Sequence, residues 1–112
     1  MTDAKPEVPE GTAVFPLIPS ELGIHPLLLA TLHGLVFLEG SEENVVHPAA
    51  ADEAVEYLAT YLQRLTGPDL ARLREDLACL LRFARQEKWP KAQVQFVKTF
   101  LEEYGIGHES EA

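Results

Sequence analysis

Residues 25–40, HPLLLATLHGLVFLEG, are apolar on almost every side of the helix that they would form, yet they include two histidines. The uninterrupted apolar stretch covers about 12 residues, Leu27 to Leu38, or roughly 18 Å of helix against about 30 Å of bilayer hydrocarbon. It is therefore too short to span a membrane. His33 and Gly34 are further evidence against a transmembrane helix. A helix that is apolar all round is expected at the centre of a protein.

Apolar periodicity and proline and glycine signals predict four helices over 26–39, 48–65, 68–88 and 90–104. A proline opens each helix at its first turn, and Gly105 followed by Ile106 is typical of a left-handed glycine stop. His25 and His47, each just before such a proline, are expected to help start helices one and two. No alternating strand pattern or internal repeat is visible, so the predicted fold is all-α, bundle-like, with helix one covered by the other three. The alternative is that one side of helix one contacts a second copy or another partner.

A chain of 112 residues is expected to form one domain. The prolines near the beginning predict an extended, partly disordered segment over 1–19, followed by a four-helix bundle-like domain over 20–106 and an acidic flexible tail over 107–112. Within the first segment, Phe15, Leu17 and Ile18 are expected on the domain surface.

The single cysteine, Cys79, excludes an internal disulfide and is compatible with a reducing cytoplasm, and the first residues lack the order of a secretory signal. The expected location is cytoplasmic.

Charge is very unevenly distributed along the chain, whose formal net charge is −9. No lysine or arginine lies between Lys5 and Arg64, whereas nine acidic residues do. From Arg64 to Lys98, eight basic and four acidic residues leave a charge of +4. Solubility alone is one explanation of the anionic first half, and recognition of a basic partner is the other.

The leading functional hypothesis is a non-enzymatic protein-binding module that recognises a partner with a basic surface. Such a protein would act as a small acidic inhibitor, an immunity-type neutraliser, an adaptor or a chaperone. Clustered carboxylates accelerate association with a positive surface through long-range attraction. The predicted partner-binding residues are Glu39, Glu42, Glu43, Asp52, Glu53 and Glu56. Self-association through helix one, giving a homodimer, is a further expectation.

No catalytic constellation is visible, so no catalytic residue is assigned and no cofactor or metal is expected. None of the four histidines forms, on a predicted helix, the pairing three or four residues apart that helical metal sites use. The first alternative is nevertheless a small metal-binding or enzymatic domain that brings together His33, Glu39 and Glu43. If His33 is not part of such a site, it is expected to make one hydrogen bond.

The second alternative is a nucleic-acid-associated protein, because basic residues beside an aromatic are common on nucleic-acid surfaces. This basic edge consists of Arg82, Arg85, Lys88 and Lys91, with Trp89 among them. A simpler interpretation is that these residues pair with acids on neighbouring helices while Trp89 plugs the end of the bundle. The net negative charge opposes binding to a polyanion and favours the simpler interpretation.

Overall fold

A computed structural model describes residues 8–107 of the chain, which contain five α-helices and no β-strand. After a short 3-10 turn at Ser20–Leu22, the helices are α1 (Pro26–Gly40), α2 (Pro48–Leu62), α3 (Gly67–Gln86), α4 (Lys91–Lys98) and α5 (Phe100–Glu103). The predicted all-α class is confirmed. The predictions made for residues 1–7 and 108–112 lie outside the described residues.

The first two helices begin in the same way, at a histidine followed by a proline. The Nδ1 atom of His25 accepts a hydrogen bond from the Leu27 backbone N–H at 3.1 Å, and Nδ1 of His47 accepts one from Ala49 N–H at 3.2 Å. Each imidazole thus satisfies a backbone donor that the first helical turn leaves without a partner. The expectation that these histidines help to start helices is confirmed.

Two helices end at a residue with positive φ. At the end of α5, Gly105 has φ +66°, and the Ile106 N–H donates to the Leu101 carbonyl at 2.9 Å while the Ile106 side chain is buried. This is the predicted left-handed stop. After α3 the same position is filled by Lys88, with φ +56°, and Trp89 N–H donates to the Ala84 carbonyl at 3.0 Å.

Two predicted helices are shorter or less continuous than expected. The second helix ends at Leu62 rather than at 65, because the next backbone donors, Arg64 and Leu65, bond three residues back, to Tyr61 and Leu62, in a tighter turn. The predicted fourth helix is divided into α4 and α5 at Thr99, whose hydroxyl donates to the Gln95 carbonyl at 2.9 Å. Such a bond from a side chain to the preceding turn is associated with helix bending.

The core lies between one face of α1 and the inner faces of α3, α4 and α5. Its members are Phe15, Ile18, Ile24, Leu28, Leu32, Leu35, Leu70, Leu73, Leu77, Leu80, Val97, Phe100, Tyr104 and Ile106. The expectation that Phe15 and Ile18 lie on the surface is wrong, because both are buried, whereas Leu17 is 92% exposed. The Phe15 ring packs edge-on against three other rings, those of His33, Trp89 and Phe96. The segment 13–18 therefore contributes to the core.

Helix α1 is not covered on all sides, which corrects the prediction of a fully enclosed central helix. Leu28, Leu32 and Leu35 point into the core, but Leu27 is 72% exposed and Phe37 is 40% exposed. The physical reason is geometric, since a helix in a single layer of a small bundle keeps one face toward solvent. One side of α1 is exposed, and whether a second copy or another partner contacts it stays a prediction.

The last described residue, Gly107, is buried against α3. A Cβ atom at this position would lie 2.9 Å from the Arg74 side chain and 3.3 Å from that of Leu70. Gly107 therefore packs against the side chains of α3.

Candidate functional site

The acidic loop between α1 and α2 is attached to the segment that precedes α1. Glu42 N–H donates to the Gly11 carbonyl at 2.9 Å, and Ala13 N–H donates to the Ser41 hydroxyl at 3.0 Å. Gly11 has φ +92°, a backbone conformation that favours glycine, and a Cβ atom there would lie 2.8 Å from a carboxylate oxygen of Glu42. Because of these contacts, the loop holds its carboxylates on a fixed backbone.

All six predicted partner-binding residues are exposed. Glu42 and Glu43 lie on the loop, while Asp52, Glu53 and Glu56 lie within about one turn of each other on the outer side of α2. Within residues 8–107, none of the six forms an ion pair. No basic side chain of the described residues therefore neutralises their negative charge.

Glu39 differs from the other five because its carboxylate is tied to the core. Its Oε1 atom accepts a hydrogen bond of 2.6 Å from the hydroxyl of Tyr104. Burial, followed by the hydrogen bond and the negative charge of Glu39, raises the pKa of Tyr104 well above its usual range. The tyrosine therefore stays a proton donor, and Glu39 holds the end of α1 against the residue that follows α5. Sequence spacing gave no sign of this contact, since 65 residues separate the two.

Two tyrosines that the sequence analysis did not single out lie beside the acidic residues of α2. Tyr57 is 61% exposed and Tyr61 is 60% exposed, one turn apart on the outer side of the helix. The Arg64 guanidinium lies over the Tyr61 ring at 4.7 Å from its centroid. Exposed tyrosines are enriched at protein interfaces because they combine apolar area with a polar end. Both tyrosines lie outside the apolar stripe of α2, and this feature of the sequence could have identified them as exposed.

Exposed apolar side chains and unopposed negative charge occur in the same part of the described chain. Every large apolar residue that stays exposed in residues 8–107 lies at or before Tyr61; these are Val8, Val14, Leu17, Leu27, Phe37, Tyr57 and Tyr61. That stretch contains no lysine or arginine. We call residues 26–62, which comprise α1, the acidic loop and α2, the anionic hairpin. Its two helices pack against each other.

The residues of the first alternative, a metal or enzymatic site, have other contacts. The His33 ring packs edge-on against Phe15 at 5.2 Å and makes no hydrogen bond within the described residues, so the expectation of one is wrong. The Glu39 carboxylate is bound to Tyr104. In the part of the chain that the structure describes, no three His, Cys, Asp or Glu side chains gather as metal ligands would.

The basic edge is exposed and unpaired among residues 8–107. The only ion pair in that range joins Arg72 to Asp76, so the expectation that the basic edge pairs with acids on neighbouring helices is wrong there. Trp89 does not belong to the exposed edge, because its ring packs edge-on against Phe15 at 5.3 Å and Phe83 at 6.0 Å. This packing agrees with the expectation that Trp89 closes one end of the bundle.

Within residues 8–107, no helix has both the length and the apolar character needed to cross a bilayer. Comparison of the chain with protein-family models, with curated proteins and with solved structures finds no match.

Proposed function

We propose that this protein is a non-enzymatic binding module whose anionic hairpin recognises the basic surface of another protein. The observation that carries the proposal is the coincidence on one hairpin of exposed apolar side chains and six acidic residues with no basic residue among them. A surface with both properties is complementary to a cationic surface that also has apolar anchors.

The two properties have separate roles in binding. Carboxylates on the loop and on α2 attract a basic partner over a distance of about a Debye length and orient its approach. Tyr57, Tyr61 and Phe37 then supply apolar area, which provides most of the lifetime of a complex. Helices α3 to α5 form the scaffold of a bundle-like domain that holds the hairpin.

Within this proposal the protein acts by occupying its partner's surface, as an inhibitor, an immunity-type neutraliser, an adaptor or a chaperone. The lone cysteine is consistent with a cytoplasmic setting. All of these roles require the same contact surface, so one test serves them all.

The test compares two variants of equal charge against a partner captured from the native cell extract. The first carries Glu42→Lys, Glu43→Lys, Glu53→Lys and Glu56→Lys; the control carries Glu75→Lys, Glu87→Lys, Glu102→Lys and Glu103→Lys, at positions that are also exposed. We expect the first variant to associate about tenfold or more slowly at low salt and the control to change by less than about threefold. Equal slowing of both variants would show that net charge alone, and not the hairpin, governs binding.

A second candidate function rests on the unpaired basic edge, which leaves four positive charges available for phosphate contacts. Salt-dependent retention on DNA or RNA that Arg85→Glu and Lys88→Glu abolish would support it. Retention that is unaffected by those substitutions would exclude this edge.

A further inference from the structure

The solvent-facing side of α1 carries a straight row of apolar residues at helical spacing. Leu27, Ala30, Gly34 and Phe37 follow one another at intervals of three, four and three residues, which extends roughly 15 Å along the helix. All are exposed except Gly34, which is half-buried. We call these four residues the α1 row.

The side chains in the middle of the α1 row project less far from the helix axis than the side chains at its two ends. Ala30 and Gly34 have small side chains, whereas Leu27 and Phe37 are large. A Cβ atom at Gly34 would meet nothing within 4 Å, so the fold of the described chain does not require glycine there, although glycine destabilises a helix interior relative to alanine. Small residues at the contact point let two helices approach closely.

At its beginning, the α1 row continues into a groove. Leu27 lines a groove of about 370 Å³ between the start of α1, the end of α2 and the start of α3. Leu62 and Leu65 give this groove further apolar lining, and Asp69 adds an exposed carboxylate. Arg72, which forms an ion pair with Asp76, also lines the groove, so its charge is mixed. Beyond Phe37, at the other end, come Glu42 and Glu43 of the acidic loop.

We infer that the α1 row is the docking site for a cationic amphipathic α-helix of the partner protein. This inference rests on the proposed function and specifies the element by which the basic partner binds. A helix presents apolar residues three and four apart and can therefore match the α1 row, and its basic residues can then face Glu42 and Glu43 beyond the Phe37 end of the row.

Charge favours this occupant over a second copy of the chain. In a symmetric dimer through the α1 row, both partners would bring a hairpin with six acidic residues and no lysine or arginine, so like charge would oppose their association. A cationic helix replaces that repulsion with attraction.

The experiment uses the full chain and a synthetic peptide of about 16 residues, long enough to cover the row. The peptide is built from Lys, Leu and Ala with the lysines on one helical face. A permuted peptide of the same composition spreads the lysines around all faces, and a third peptide has glutamate in place of lysine. Affinity is measured by isothermal titration, and the site is mapped by backbone amide chemical shifts.

We expect the amphipathic cationic peptide to shift the amides of residues 27–37 and to bind about tenfold or more tightly than the other two. Ala30→Leu should weaken its binding by about tenfold, because the added side chain blocks close approach. The matched control, Ala71→Leu, places the same change at an exposed position of α3 and should alter affinity by less than about twofold. Circular dichroism checks that both variants are folded.

Three results would overturn the inference. If the permuted cationic peptide binds equally well, the protein recognises basic surfaces but does not select an amphipathic helix, which contradicts the inference. Absence of binding, or binding that Ala30→Leu leaves unchanged, would show that the α1 row is not the site. A dimer in sedimentation experiments that Ala30→Leu dissociates would identify a second copy as the occupant. The proposed function is tested separately, by the lysine substitutions in the acidic loop and α2.

Discussion

Asp76 lies on α3 and holds the start of α1 through the backbone of His25. Its carboxylate accepts a hydrogen bond from the His25 N–H at 3.0 Å and two more from Nε of Arg72 at 3.0 and 3.1 Å. The Arg72 guanidinium also donates to the Gly23 carbonyl at 2.9 Å. Asp76 is the only charged residue buried in the described chain, and all these contacts fix the point at which the anionic hairpin leaves the scaffold.

Asp76→Ala should lower the free energy of unfolding by about 1–2 kcal/mol, because it leaves the His25 N–H and the Nε–H of Arg72 without their acceptor. Urea denaturation followed by circular dichroism measures the change. Glu75→Ala, at the exposed neighbouring position, is the control and should stay within about 0.5 kcal/mol of the parent protein. Equal stability of the two variants would mean that the Asp76 contacts do not hold α1.

Lys88→Gly should raise the free energy of unfolding by about 1 kcal/mol. Lys88 is the only residue other than glycine with positive φ in residues 8–107, and glycine adopts that conformation without a steric penalty. Thermal unfolding is the measurement. Glu87→Gly, one residue earlier and at negative φ, should be neutral or destabilising. Destabilisation by Lys88→Gly would contradict the left-handed end of α3.

The histidine caps predict a different response to two substitutions at one exposed position. His47→Ala should cost about 1 kcal/mol, because the Ala49 N–H loses its acceptor, whereas His47→Asn should retain most of the stability, since asparagine is a good N-cap residue. Chemical denaturation of both variants distinguishes capping from any other role of the side chain. Equal losses for the two variants would argue against capping.

The raised pKa of Tyr104 predicts a loss of stability at alkaline pH. The folded state retains the hydroxyl proton more tightly than the unfolded chain, so this contribution is complete below the unfolded pKa of about 10 and is lost as the pH rises above it. Tyr104→Phe should therefore be less stable at neutral pH by about 1 kcal/mol and should show a weaker alkaline decline. Denaturation series between about pH 7 and 11 supply the comparison.

Tyr57→Phe is the matched control for that series, since Tyr57 is 61% exposed and its hydroxyl makes no hydrogen bond within the described residues. Its alkaline decline should equal that of the parent protein. A decline in Tyr104→Phe as steep as in the parent would place the titrating group elsewhere.

Local signals in the sequence predicted the helices well, because their physical causes are local. Pro26 and Pro48 fit the first turn of a helix, and their preceding histidines reach a donor only two residues away. Gly105 adopts positive φ without a steric penalty, and Ile106 folds back on the same turn. These features depend on stretches of six residues or fewer.

Features that depend on distant contacts were not predictable in this way. Phe15 lies in a proline-rich stretch typical of a surface segment, but rings from α1, α4 and the α3–α4 connection form a site that buries it. The exposure of Phe37 and the bond between Glu39 and Tyr104 likewise follow from which helices pack together. The six acidic residues could be proposed as a binding surface from the sequence, because clustered charge is visible there, and the structure shows that they are exposed. Their neighbours Tyr57 and Tyr61 carry no such signal.

The most direct test of the central claim is hydroxyl-radical footprinting of the chain, alone and in complex with its captured partner. If the anionic hairpin is the binding surface, Phe37, Tyr57 and Tyr61 lose reactivity in the complex, while the half-buried rings Phe83 and Phe96 keep theirs. Unchanged reactivity of Phe37, Tyr57 and Tyr61, with protection confined to α3 and α4, would contradict the account.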